Sequence, residues 1–259
     1  MQYILYSKSE HIATITLNRP EVLNAVNVEL TAELASALAQ AEADRDVRVA
    51  VINSSIQKSF TAGGDIKYES QLTETTAVDF AENGKAVMDA IESCRVPVIL
   101  SVDGYNLGGG IEMAAAADLV ITSDKAKFGI PTINLGTVPA WGATVRLTRA
   151  LGRARAFDIL ATGRIFSAQE AYDMGLAQYI VPRDELAEKT LELAKNIADK
   201  APGAMQRLKS AILYSLNSDQ KDSMKYETSL YADCCNLEDR AEAMSAFLEK
   251  REHKPYTDR

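Results

Sequence analysis

Residues 97–114 read P-V-I-L-S-V-D-G-Y-N-L-G-G-G-I-E-M-A: an apolar strand that runs into glycines and then into a helix. This passage constrains the chain more than any other. A buried strand must deliver its C-terminal end almost directly to a helix N-terminus. Glycines at the junction admit positive φ and close approach of backbone to a ligand. The first helical N–H groups have no partner inside the helix and carry the positive end of its dipole. The junction is therefore suited to an anion or a developing oxyanion. Two nucleotide-binding readings do poorly here. A phosphate-binding P-loop needs Gly-Lys-Ser/Thr, and Gly110-Ile111-Glu112 follows instead. The dinucleotide fingerprint needs a third glycine where Met113 stands, and a first strand near the domain start. Glu112 falls in the first turn of the helix. It either complements the dipole or acts as a general acid or base beside an oxyanion site, and its position alone leaves both open.

The rest of the chain alternates in the same style. Tyr3–Tyr6 and Ile12–Leu17 are predicted strands, the second alternating as I-A-T-I-T-L. Val28–Ala43 is predicted helical from Leu30, Leu34, Leu38 and Ala41, with Asn27 as its cap. Val47–Asn53 is a short apolar strand, which completes a strand–strand–helix–strand unit, and similar units follow. These are a helix over Glu74–Cys94, a strand over Pro97–Val102, a loop over Gly104–Gly110, a helix over Ile111–Ala117 and a strand over Leu119–Thr122. Shorter helices are expected at Ala140–Leu151, Ala154–Thr162 and Ala168–Met174, with a last strand at Gln178–Val181. From Asp184 the pattern is nearly all helical. The fold class is α/β, with residues 1–182 as the core and 183–259 as a helical C-terminal region.

A net charge of −8 argues against a sequence-independent grip on nucleic acid or anionic lipid, which needs a basic face. Cys94, Cys234 and Cys235 have neither a disulfide framework nor metal-ligand spacing. His11 and His253, the only histidines, lie outside any motif. No metal and no separate cofactor are expected. The first residues lack the features of a signal peptide and no apolar stretch is long enough for a membrane span, so a soluble, cytoplasmic protein is expected.

A second glycine loop, F-T-A-G-G-D-I-K (residues 60–67), joins the first in a pattern with a family resemblance. Together with V-D-G-Y-N-L-G-G-G-I-E-M-A (102–114), F-G-I-P-T-I-N-L-G-T-V-P (128–139), L-N-R-P-E-V-L-N-A (17–25) and F-L-E-K-R (247–251), it resembles the crotonase, or enoyl-CoA hydratase/isomerase, superfamily. The resemblance spans nearly the whole chain. It implies a spiral of ββα units with a helical C-terminal region that packs homotrimers or homohexamers, and an acyl-CoA substrate with coenzyme A as part of the substrate. By the same resemblance Gly64 and Gly109 supply the two oxyanion N–H groups, and Glu112 matches the first of two catalytic glutamates. The loop residues Ala62, Asp65, Ile66 and Lys67, with Lys58 ahead of them, fall along the substrate. Asp65 and Asp118 are also framework positions. Lys250 matches a position that approaches the adenine nucleotide from a neighbouring subunit, and Trp141 and Tyr231 are candidates for the acyl pocket.

The departure is at Thr132. Family hydratases carry Pro-Glu where this chain has Pro131-Thr132. Threonine is no base at neutral pH, although it can hold a water or a substrate oxygen. The aspartate that dienoyl isomerases and dehalogenases use near position 140 is also missing; the nearest are Asp103, Asp118 and Asp65. The resemblance thus implies an enolate-stabilising acyl-CoA enzyme, foremost a 2-enoyl-CoA hydratase working with a single glutamate. The alternatives are isomerisation, decarboxylation or thioester hydrolysis, or a non-catalytic CoA-binding subunit.

Overall fold

A computed structural model describes residues 1–257. The period-2 pattern near the start forms a hairpin: β1 (Ile4–Ser9) pairs antiparallel with β2 (Ile12–Leu17). Its tight turn is made by Glu10 and His11, both at positive φ. Helix α1 (Val28–Ala43) begins where expected, because the Asn27 side chain accepts the Leu30 N–H at 3.0 Å. It buries Leu30, Leu34, Ala37, Leu38 and Ala41.

The pattern then repeats as pairs of strands and a helix. Strands β3 (Val49–Ser54) and β4 (Ser59–Thr61) precede α2 (Ile66–Glu69) and α3 (Glu74–Ser93). Strands β5 (Val98–Val102) and β6 (Tyr105–Leu107) precede α4 (Gly109–Ala116). Strands β7 (Leu119–Ser123) and β8 (Lys127–Gly129) precede α5 (Ala143–Leu151) and α6 (Arg153–Thr162). Then come β9 (Ile165–Ser167), α7 (Ala168–Met174) and β10 (Tyr179–Val181). The chain closes with α8 (Leu186–Ala198), α9 (Pro202–Ser215), α10 (Gln220–Cys234) and α11 (Glu238–Glu249).

Two sheets organise these elements, in the orders β1-β2-β3-β5-β7-β10 and β4-β6-β8-β9. Each turn of the chain lays one strand in the large sheet and the next in the small one, which is the expected ββα spiral. Among β4, β6 and β8 the pairing is parallel. One face of the large sheet meets α1 and α3 over a core that includes Ile15, Ile52, Leu100, Leu34 and Met88. The opposite face carries Ile12, Val49, Val51, Ile99 and Ile121, covered by Leu186, Ala194 and Ala198 of α8. Each of the buried Val, Ile, Leu and Met side chains contributes about 1.5–3 kcal/mol by leaving water. Lys209 anchors α9 to the core: its Nζ lies 2.6 Å from Asp118 Oδ2, which also accepts the Val98 N–H. No helix among the described residues is long and apolar enough to cross a membrane.

Three expectations shift. The predicted loop over Gly104–Gly110 contains β6, and α4 begins at Gly109 rather than Ile111. Helix α5 begins at Ala143 and not Ala140, because Gly142 at φ 110° cannot be helical. The whole small sheet is additional to the predicted strands.

Candidate active site

The small sheet assembles the site. Because β4, β6 and β8 are adjacent and parallel, their C-terminal ends emerge side by side, the usual place for ligands in parallel sheets. The segments that follow are residues 62–65, 108–109 and 130–132, so three motifs distant in sequence meet at one point. The meeting needs glycine. Gly63 has φ 96° and Gly108 φ 50°. A Cβ on Gly63 would lie 3.2 Å from the Leu107 carbonyl oxygen, and one on Gly108 3.2 Å from the Gly63 Cα.

Backbone bonds fix which N–H groups remain available. Gly63 donates to Thr61 Oγ1 and its carbonyl accepts from Val26, whose own carbonyl accepts from Asp65. Gly108 donates to the Gly129 carbonyl at 2.9 Å. The N–H of Gly64, at the centre of the parallel bridge with Val26, is directed away from that neighbour. The N–H of Gly109 opens α4. Neither has an acceptor among the described residues, and both residues line one cavity. Two unpaired donors at a helix start and a facing loop can hold a growing negative charge on oxygen.

Glu112 lines the same cavity and is 5% exposed. Its Oε1 accepts the N–H groups of Trp141 (2.8 Å) and Ala143 (3.1 Å), while Oε2 has no hydrogen-bond partner among the described residues. Burial pushes the Glu112 carboxyl up to about 7, against the two backbone donors and Arg146, which favour the anion; the Glu69 carboxylate adds to the rise. A carboxyl poised near neutrality is suited to proton transfer.

The walls are apolar. Ala62, Ile66, Phe80 and Trp141 line the cavity, with Thr132 on the third loop. Trp141 is buried and packs at 5.2 Å from the Phe80 ring. Its indole occupies space left by two missing side chains, since a Cβ on Gly109 or Gly84 would collide with the ring.

The remaining predicted residues do not line this cavity. Asp65 caps α2 and pairs with Arg19 at 2.8 Å, which places it in the framework. Lys58 and Lys67 are exposed on either side of the first loop. Tyr231 is 69% exposed on α10, a helix with no buried residue, so it is not in this chain's acyl pocket. Lys250 is exposed at the end of α11.

Three residues escaped the sequence reading. Asn24, fully buried, donates to Phe60 O and Ser54 Oγ, so the L-N-R-P-E-V-L-N-A block buttresses the first loop. Arg19 does the same through Asp65. Glu69, at the end of α2, puts a second carboxyl into the cavity. Burial, then the Asp65 carboxylate, raises its pKa above the usual glutamate value. The signal for Glu69 was weak: a carboxylate one turn beyond a capping aspartate is commonly a solvated one.

Known proteins resemble this chain along nearly its whole length. Residues 7–259 match the family model described as enoyl-CoA hydratase/isomerase. A probable enoyl-CoA hydratase of Mycobacterium tuberculosis is 38% identical over 96% of this chain and 95% of its own. A crotonyl-CoA hydratase of Syntrophomonas wolfei is 35% identical over 96% and 95% of the two chains. The crystal structure of an enoyl-CoA hydratase from Bacillus anthracis superposes with a TM-score of 0.95 at 32% identity, covering all of both chains. The chain belongs to the enoyl-CoA hydratase/isomerase family, the crotonase superfamily.

Proposed function

We propose that this chain hydrates a 2-enoyl-CoA thioester reversibly, through an enolate held by the Gly64 and Gly109 N–H groups. The observation that carries the reading is the pair of unpartnered donors in one cavity with the buried carboxyl of Glu112. The hydratases among its relatives support the choice of reaction.

The thioester carbonyl lies between the two donors, and the acyl chain follows the apolar wall of Ile66, Phe80 and Trp141. Water bonds to the β-carbon while Oε2 of Glu112 takes its proton. The π pair moves onto the carbonyl oxygen, where each donor stabilises the growing charge by about 3–4 kcal/mol. Collapse of the enolate returns a proton to the α-carbon. Trp141 and Ala143 hold Oε1, so the free oxygen keeps one orientation as it takes the proton from water. Lys58 and Lys67, exposed beside the loop, meet the phosphates of coenzyme A. The exposed Phe247 and Leu248 on α11 support assembly into homotrimers or homohexamers.

Crotonyl-CoA is the probe, followed by loss of absorbance of the conjugated thioester. Turnover by the wild type and its loss in Glu112→Gln are expected. Absence of turnover on every enoyl chain length, with coenzyme A thioesters still bound, overturns the reading.

A further inference from the structure

Thr132 leaves the third loop without a carboxylate, yet the cavity holds two carboxyl groups. Glu69 is half-buried and lines the same cavity as Glu112, Gly64 and Thr132. Its position is defined against the donor loop: a Cβ on Gly64 would land on Glu69 Oε1. The absence of a side chain at Gly64 is what admits the carboxyl. Two other partly buried carboxylates have a cationic partner, Asp65 with Arg19 and Asp118 with Lys209. The Glu69 carboxyl has no ion pair and no hydrogen-bond partner among the described residues.

A bare carboxylate beside an oxyanion site opposes the charge that the site must hold, whereas a neutral carboxylic acid there does not. Burial and the Asp65 carboxylate at the start of its own helix both favour its neutral form. Standard bond lengths put the α-carbon of a thioester about 2.4 Å from its carbonyl oxygen. The carboxyl packed on Gly64 and the α-carbon are therefore both close to that residue whenever the Gly64 N–H holds the oxygen.

We infer that Glu69 is the second proton-handling residue of this site, with its carboxyl serving the α-carbon while Glu112 serves the water. This rests on the enolate reading of the site. In the hydration direction, the water oxygen bonds to the β-carbon and its proton goes to Glu112. The π pair moves to the thioester oxygen. The enolate then takes a proton from the Glu69 carboxylic acid at the α-carbon. Glu112 ends protonated and Glu69 ionised, and proton exchange with water in the open cavity restores both. The role that a glutamate at position 132 would hold has moved to the first loop.

The test separates the two carboxyls with two probes on the full chain. Butyryl-CoA in D2O reports exchange of the α-proton, which needs a base at the α-carbon and no attacking water. Crotonyl-CoA reports hydration. Glu69→Gln is expected to lose at least a hundredfold in both, with butyryl-CoA affinity within threefold of wild type. Glu112→Gln is expected to lose hydration and keep exchange. Glu69→Asp, measured beside it, is expected to recover part of the exchange rate, which a packing role would not require. If Glu69→Gln and Glu69→Ala bind butyryl-CoA and keep wild-type exchange, the inference is overturned and the hydratase reading stands. If the wild type exchanges the α-proton without hydrating any enoyl thioester, the hydratase reading fails and the Glu69 variants still decide the inference. A wild type that does neither overturns both.

Discussion

Glu112 Oε1 accepts the backbone N–H of Trp141 at 2.8 Å, a bond that joins the first turn of α4 to the loop entering α5. With the Ala143 N–H on the same oxygen, it fixes the carboxyl while leaving the other oxygen directed to chemistry. Glutamine in its place can keep both acceptor bonds through its carbonyl oxygen. Glu112→Gln is therefore expected to retain the fold and lose at least a hundredfold in kcat for hydration. Steady-state kinetics beside circular dichroism check both halves.

The pH dependence of stability follows from the same burial. The folded carboxyl is raised to about 7 from 4.5. Its contribution is fully present below the unfolded value, and is lost as pH rises through the folded one. That loss amounts to about 3 kcal/mol when complete. Wild type is expected to lose stability relative to Glu112→Gln between pH 5 and pH 8, read by urea denaturation at both. Parallel curves would remove the buried charge from the account.

Activity has the opposite sign. Glu112 takes a proton only when ionised, so the acid limb of kcat/KM for hydration is expected to rise as pH climbs towards about 7. The rise is measured on crotonyl-CoA from pH 5 upward, and a flat profile over that range contradicts the assignment.

Gly109→Ala sets a side chain against the Trp141 ring. The ring is buried, so it must shift or the helix start must move. The expected result is a fall of about tenfold or more in kcat and destabilisation of about 1–3 kcal/mol, the usual cost of overpacking. Thermal denaturation and kinetics on the same sample test it.

Lys209→Met keeps the aliphatic stem but leaves the carboxylate of Asp118 without its cation. Breaking a buried pair in this way costs about 3–5 kcal/mol, and a partly exposed Asp118 puts the expected loss at the lower end. The Asp118→Asn, Lys209→Met double variant is expected to recover part of it. Chemical denaturation of the two single variants, Lys209→Met and Asp118→Asn, and of the double variant gives the coupling.

What the sequence made legible is what repeats over several residues. The α1 stripe Leu30, Leu34, Leu38 and the Asn27 cap carry a periodic signal and a short-range bond, and both appear as expected. Strands β4, β6, β8 and β9 have three residues each, too few to display alternation, and only pairing across the chain defines them. The glycine loops and Glu112 could be picked out because a glycine-rich strand–helix junction is a local pattern, and the family resemblance singled out Gly64 and Gly109 within them. Glu69 could not, because its meaning lies in a carboxyl folded back onto a glycine from a four-residue helix. Tyr231 shows the reverse: an aromatic residue placed by resemblance lies exposed on α10.

The parallel order β4-β6-β8 brings three loops to one place, each anchored by its own strand. Beyond a strand's last residue, a side chain owes nothing to the ladder. Substitutions there can move a charge from one loop to its neighbour while the scaffold stays unaltered. The reaction centre is thus an address kept by the backbone, and the groups delivered to it are free to change hands during evolution.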